Sequence, residues 1–256
     1  MWRKFTLQDL VPIGAETQNY SEVVAMPAGA RPKVPEVFSV ELVANGLAQA
    51  RAMRVPPNGD LFLANGSANE IRVYRISSGC AKPDVSEIFA TGLRQPYGIA
   101  FYPAGPNPEW IYVGNSNGVV RFPYKNGDLK ATGKSERIVE GIPPTHHWTR
   151  DILFTPDGKR LLLSVASGSN TALDMFPVPR VPVGLEGWSK THALGSPWDT
   201  EEGRANILSF NPHGTNETVI AAGIRNPSGL TLQPATGQFW TCVNERDGLG
   251  DDTPTQ

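Results

Sequence analysis

GIRNPSGLTLQPATGQFWTCVN, residues 223–244, opens on an Arg-Asn-Pro turn, runs through an apolar stretch, turns again at Pro234 to Gly237 and returns as a second apolar stretch. GLRQPYGIAFYPAGPNPEWIYVGN, residues 92–115, is built the same way and carries the same Gly-x-Arg-x-Pro preface. Proline fixes φ at the first turn position, and glycine or asparagine accepts the positive φ that closes the turn, so each stretch predicts a β-hairpin. Two more hairpins follow the pattern, ARAMRVPPNGDLFLAN at 50–65 and RDILFTPDGKRLLLSVAS at 150–167. Their turns, at Asn58-Gly59, Ala104-Gly105, Asp157-Gly158 and Thr236-Gly237, recur at roughly 45 to 55 residues and then at about 80, a blade-sized interval. Leu61-Phe62-Leu63 and Leu161-Leu162-Leu163 are continuous apolar runs, as expected of strands covered on both faces by stacked sheets. The reading is all-β, a β-propeller with about four blades' worth of chain. The last blade stops after its second strand, so the sequence reads as truncated short of a closed ring.

The composition fits this class. The 256 residues are 39% hydrophobic, enough for a sizeable core, and 26 glycines with 23 prolines follow no collagen-like period. A net charge of -2 and no basic cluster interleaved with aromatics argue against nucleic acid and for a small-molecule partner. There is no run of about 18 apolar residues to span a bilayer, and the first residues lack the apolar core of a signal peptide. Cys80 and Cys242 are the only cysteines, and their separation in sequence says nothing about pairing. Asn19, Asn65 and Asn216 sit in glycosylation sequons, a weak hint of secretion. Residues 1–35 read as an extended lead-in and 36–256 as the propeller domain, interrupted at 170–205 by a Pro- and Trp-containing insertion read as a loop over one face.

Several polar groups could carry chemistry. His146-His147 opens a strand in THHWTRDILFTPDG, which places a histidine at a loop-to-strand junction suited to proton abstraction; the alternative is a surface histidine or one that only supports a neighbouring group. Neighbouring strand residues face opposite ways, which disfavours metal binding by the pair. Arg225-Asn226 precedes a strand, where a guanidinium could steady a developing negative charge or simply form a turn. Glu245, Asp247, Asp251 and Asp252 cluster around Gly248 and Gly250, a set of hard oxygen ligands suited to calcium but also readable as a solvated acidic turn. Glu186, Glu201 and Glu202 fall in no motif and are read as solvated. Nucleophile-elbow, P-loop, dinucleotide and Cys-x-x-Cys patterns are absent from the sequence.

YVGNSNGVVRFPYKNGD (112–128), HHWTRDILFTPDGKRLLLSVASGSN (146–170), EEGRANILSFNPHG (201–214) and GIRNPSGLTLQPATGQFWTCVNERDGLGDD (223–252) together resemble the sorbosone dehydrogenase-like branch of the pyrroloquinoline quinone (PQQ) dependent sugar dehydrogenases, relatives of soluble quinoprotein glucose dehydrogenase. The resemblance implies a six-bladed propeller that holds PQQ and Ca2+ at the channel mouth, takes a sugar substrate, passes electrons to an external acceptor and works in the periplasm or outside the cell. By position it implies that His147 is the general base. Arg225 and Asn226 would contact the quinone oxygens, Arg246 would lie beside the cofactor plane, and the carbonyls of Asp247 and Gly248 would bind calcium. Pro144-Thr145-His146 replaces an expected Gly-Gly-His, and Ser228 replaces a longer amide side chain. A calcium-dependent gluconolactonase-like lactonase and a non-catalytic ligand-binding propeller are the alternatives.

Overall fold

A computed structural model describes residues 24–77, 82–173, 175–176 and 198–247. The chain divides into two units, 1–41 with 245–256 and 42–244. The described part of the first contains tight turns closed by Ala30 N to Pro27 O and Phe38 N to Pro35 O, at 3.0 and 2.9 Å.

The second unit contains the strands. Blade 1 is β1 (Ala50–Arg54), β2 (Leu61–Asn65), β3 (Glu70–Arg75) and β4 (Val85–Ala90). Blade 2 is β5 (Ile99–Tyr102), β6 (Trp110–Asn115), β7 (Gly118–Pro123) and β8 (Glu136–Val139). Blade 3 is β9 (Ile152–Phe154), β10 (Leu161–Val165), β11 (Asn206–Phe210) and β12 (Thr218–Ala222), and β13 (Pro227–Leu232) with β14 (Phe239–Val243) begins a fourth. Each sheet is an antiparallel meander in chain order. The four hairpins read from the turn chemistry are β1–β2, β5–β6, β9–β10 and β13–β14, and a glycine with positive φ sits at each tip, as at Gly158 (+68°). Among the described residues the β-propeller comprises three four-stranded blades and a two-stranded sheet that follows them.

Period-two alternation along each buried strand feeds two interfaces at once. In β10, Leu161, Leu163 and Val165 join Tyr112, Val119 and Val139 of blade 2, whereas Leu162 joins Ile207 and Leu230 on the side of the fourth sheet. The interface of blades 1 and 2 is aromatic, with Phe62 edge-on to Phe89 and to Phe101, both at 5.2 Å between ring centroids. The first strands gather around the axis, β5 between β1 and β9, and β9 between β5 and β13. Asp151, 3% exposed, ties three of these blades: Arg54 Nη2 lies 3.2 Å from its Oδ1, and Leu230 N donates to its Oδ2 at 2.8 Å. Burial raises the Asp151 pKa, and Arg54 and the backbone donors oppose that shift.

Two glycines bring the sheets this close. A Cβ on Gly98, just ahead of β5, would lie 2.6 Å from Ile152 N and 2.7 Å from Arg150 O. A Cβ on Gly114, in β6, would lie 2.2 Å from the carbonyl oxygen of Arg150. Blade 3 can therefore seat the backbone just before β9 against blade 2 only where a side chain is missing. That seat fixes the segment leading out of the His146-His147 loop.

Among the described residues no helix is long and apolar enough to cross a membrane. Residues 177–197, most of the 170–205 insertion, lie outside the described set, and its far end forms a short 3-10 turn at Asp199–Glu201.

Candidate functional site

The site begins with a buried arginine. Arg150 is fully buried, and its guanidinium donates to the carbonyls of Pro143 (2.6 Å) and His147 (3.0 Å). No described residue hydrogen-bonds to its Nε. Burial, with Arg204 nearby, pushes its pKa down to about 9, so the group still carries its charge at neutral pH. A cation spent on backbone carbonyls holds their loop in one conformation. That loop is irregular: β9 starts only at Ile152 and His146 takes a φ of +61°. The expectation that His146-His147 opens a strand is therefore corrected. The pair lies in the loop ahead of the strand, with His146 exposed and His147 half-buried, because the carbonyls of Pro143 and His147 turn inward to Arg150 instead of joining a ladder.

His147 Nδ1 lies 3.0 Å from both the carbonyl and the hydroxyl oxygen of Ser167, just past the end of β10. The Ser167 hydroxyl donates its proton to Ser169 O at 2.7 Å, so both partners of Nδ1 are acceptors. Nδ1 therefore carries the ring proton, and Nε2 presents a lone pair with no hydrogen-bond partner among the described residues. This is the tautomer a base needs.

The same turn holds Arg225. Ser167 N donates to Arg225 O at 2.6 Å, and the guanidinium donates from Nε to Asn170 O (3.0 Å), from Nη2 to Asn170 Oδ1 (2.7 Å) and from Nη1 to Asn244 O (2.9 Å). Asn226, 7% exposed, accepts from Thr149 Oγ1 at 2.7 Å, and its carbonyl accepts from Asn244 N at 2.9 Å. His147, Arg225 and Asn226, far apart in sequence, are thus brought together across blades 3 and 4. An imidazole lone pair, a guanidinium and a carboxamide on one rim suit a planar group rich in oxygens.

An open cavity of about 860 Å3 adjoins this rim through Ser228, lined also by Arg51, Tyr97, Asp151 and Trp240. Tyr97 OH donates to Ser228 O at 2.6 Å. The Arg51 guanidinium carbon sits 4.7 Å from the centre of the Trp148 ring, which places an aromatic and a cation from blade 1 next to His147.

Other expectations fare differently. Arg246 and Asp247 are exposed and belong to the unit formed by 1–41 and 245–256, while Gly248, Asp251 and Asp252 lie outside the described residues. Among the described residues no group of three or more His, Cys, Asp or Glu side chains could hold a metal. Cys242 is a free, exposed cysteine, and Cys80 lies outside the described set. Glu201, read as solvated, is 3% exposed: it accepts from Gly168 N at 2.6 Å and from Ser169 Oγ at 2.7 Å. Glu202 is exposed as expected, and Glu186 is not among the described residues. Sequence reasoning also passed over Ser167, Asn170, Thr149 and Arg150. The only available signal was their position, in the His-Trp-Thr-Arg block or at the end of an apolar strand.

The chain is thus a β-propeller whose neighbouring blades present an imidazole, a guanidinium and a carboxamide on one rim. Within that class the chain belongs to the TrAA12-like family, matched over residues 32–254. An uncharacterized protein of Borreliella burgdorferi is 21% identical over 239 residues, which are 87% of this chain and 52% of that protein. The fold is similar to the holo PQQ domain of pyranose dehydrogenase from Coprinopsis cinerea (TM-score 0.62, 18% identity, 80% of this chain and 46% of that one). It is also similar to a calcium structure of a Trichoderma reesei carbohydrate-active enzyme of family AA12 (TM-score 0.60, 18% identity, 80% and 48%). The chain thus spans about half the length of these relatives.

Proposed function

We propose that this chain forms part of a PQQ-dependent quinoprotein that oxidises a sugar or aldose hydroxyl. The observation that carries the reading is the hydrogen-bonded chain from His147 Nδ1 through Ser167 to the Arg225 carbonyl, which leaves Nε2 without a partner among the described residues while the 167–170 turn also holds the Arg225 guanidinium. Membership of the TrAA12-like family and the fold shared with a PQQ domain support the choice of cofactor.

His147 Nε2 takes the proton of the substrate hydroxyl as hydride leaves the same carbon. When bound, PQQ supplies the two-electron acceptor for that hydride, with the electrons passing on to an external acceptor. Arg225 and Asn226 would hold the cofactor through its oxygens, the guanidinium offering positive charge and the carboxamide a hydrogen-bond donor. Ca2+, a hard ion suited to carbonyl ligands, would supply Lewis-acid chemistry when bound, and the resemblance assigns its ligands to the main-chain carbonyls of Asp247 and Gly248. Ser167 keeps the imidazole in its Nδ1–H form throughout. The order of the His-Trp-Thr-Arg, Arg-Asn-Pro and Asn-Glu-Arg-Asp blocks favours a sorbosone dehydrogenase-like substrate class and a periplasmic or secreted location.

The test is calorimetric titration of the protein with PQQ and Ca2+, followed by dye reduction with a panel of aldoses. Saturable PQQ binding with sugar-dependent dye reduction is expected. Absence of PQQ binding overturns the assignment, and binding without turnover on any sugar assigns a ligand-binding propeller instead.

A further inference from the structure

Glu201 reaches the site from the far end of the connection between β10 and β11. It is a buried carboxylate, and both its oxygens are used: Oε2 accepts from Gly168 N at 2.6 Å and Oε1 from Ser169 Oγ at 2.7 Å. The turn it grips, 167–170, is the one piece of backbone among the described residues that hydrogen-bonds to both His147 and Arg225. Ser167 gives its two oxygens to Nδ1 of the imidazole, and Asn170 gives its carbonyl and its amide oxygen to the guanidinium.

A turn that aims this many oxygens at one side must satisfy its N–H and O–H donors on the other, and here that side is buried. A carboxylate is the side chain that can accept from two donors at once without bringing a donor of its own. Holding Ser169 also matters one step further on. Ser169 O takes the hydroxyl proton of Ser167 at 2.7 Å, which turns that hydroxyl into an acceptor for His147. Were Ser169 to swing away, the Ser167 proton could point at Nδ1 and push the ring proton to Nε2, leaving no lone pair at the reacting edge.

We infer that Glu201 is a positioning residue that sets the tautomer of His147 and the plane of the Arg225 guanidinium through the 167–170 turn. The inference rests on the reading of His147 as the base. It assigns a task to the insertion, whose far end closes onto the turn that its near end leaves.

The experiment is a long-range 1H–15N spectrum of the histidine side chains in alkaline buffer, with His147 assigned through H147Q. The intact wild-type protein should show His147 protonated at Nδ1. Glu201→Leu should shift the tautomer ratio towards Nε2–H by about tenfold, the scale of one charge-assisted hydrogen bond. Ser169→Ala, which deletes only a hydroxyl, should shift it in the same direction by about threefold. Glu201→Gln, able to accept from Gly168 N and donate to Ser169 Oγ, should restore most of the wild-type ratio. A folded E201L protein with an unchanged His147 spectrum overturns the inference. If E201L does not fold, an unchanged spectrum in S169A overturns it. Because the readout needs no cofactor, a tautomer shift in E201L together with failure of the wild type to bind PQQ would overturn the quinoprotein reading and leave the positioning role standing.

Discussion

The second and fourth blades begin with the same preface, Gly92-Leu-Arg94-Gln-Pro96 and Gly223-Ile-Arg225-Asn-Pro227, and the fold treats the two backbones alike. In each, the connection that follows the second strand of the preceding blade hydrogen-bonds to the preface. The carbonyl of Asn69, at the end of the short turn between β2 and β3, accepts from Leu93 N at 3.2 Å, and that of Ala205, at the end of the connection between β10 and β11, accepts from Ile224 N at 2.9 Å. The side chains then diverge. Arg94 is exposed, and its guanidinium has no partner among the described residues, whereas Arg225 is gripped on two of its nitrogens by Asn170. The preface is a structural repeat. It becomes a candidate site only where the neighbouring connection is long enough to bring Ser167, Asn170 and Glu201 over it.

If only the fourth-blade preface belongs to a site, the largest effect of substitution should fall on His147. With PQQ and Ca2+ supplied, H147Q should lower sugar-dependent dye reduction by about 1000-fold, within the range for loss of a general base, at an unchanged thermal midpoint. A loss of less than about tenfold would leave blade 3 no more catalytic than blade 1. Next in size is Gly114→Ala. Its methyl group would meet Arg150 O, so the blade 2–blade 3 seat should open at a cost of about 3 kcal/mol, read as a lowered denaturation midpoint. The paired substitutions R225K and R94K address the two prefaces directly. Lysine cannot reproduce the fork on Asn170, so R225K should weaken PQQ binding about 30-fold, about 2 kcal/mol, while R94K should change it by less than about twofold.

The smallest effect concerns the axis. The Asp151 carboxyl titrates above its ordinary range in the folded chain because it is buried, so the folded state holds that proton more tightly than the unfolded state does. Between the ordinary aspartate range and the raised folded value, stability should therefore fall as pH rises. D151N should flatten that slope in denaturant melts across mildly acidic pH, and an unchanged slope would show that another group sets it.

Much of the fold was legible because its cues are local. Proline and glycine at the tips of the four hairpins state where the chain reverses, and unbroken apolar runs such as Leu161-Leu162-Leu163 state that both faces are covered. His147, Arg225 and Asn226 could be picked out by residue type and position, and the fold does bring them together. Glu201 could not. Its carboxylate looks solvated beside Glu202, and it is buried only because the connection returns its far end to the turn at 167–170. From sequence the His147 segment reads as the start of a strand, because nothing local shows that Arg150 will collect its carbonyls.

What the sequence determined by itself was therefore the blade rhythm, the strand faces and the chemical types available at the strand ends, since periodicity and turn stereochemistry act over a few residues. Which oxygens face His147, which nitrogen of its ring keeps the proton and which carboxylate holds the turn were decided by the tertiary structure. Those contacts join residues 20 to 77 positions apart, and a hydrogen bond tolerates only a few tenths of an ångström of error in where two separate blades place their backbones.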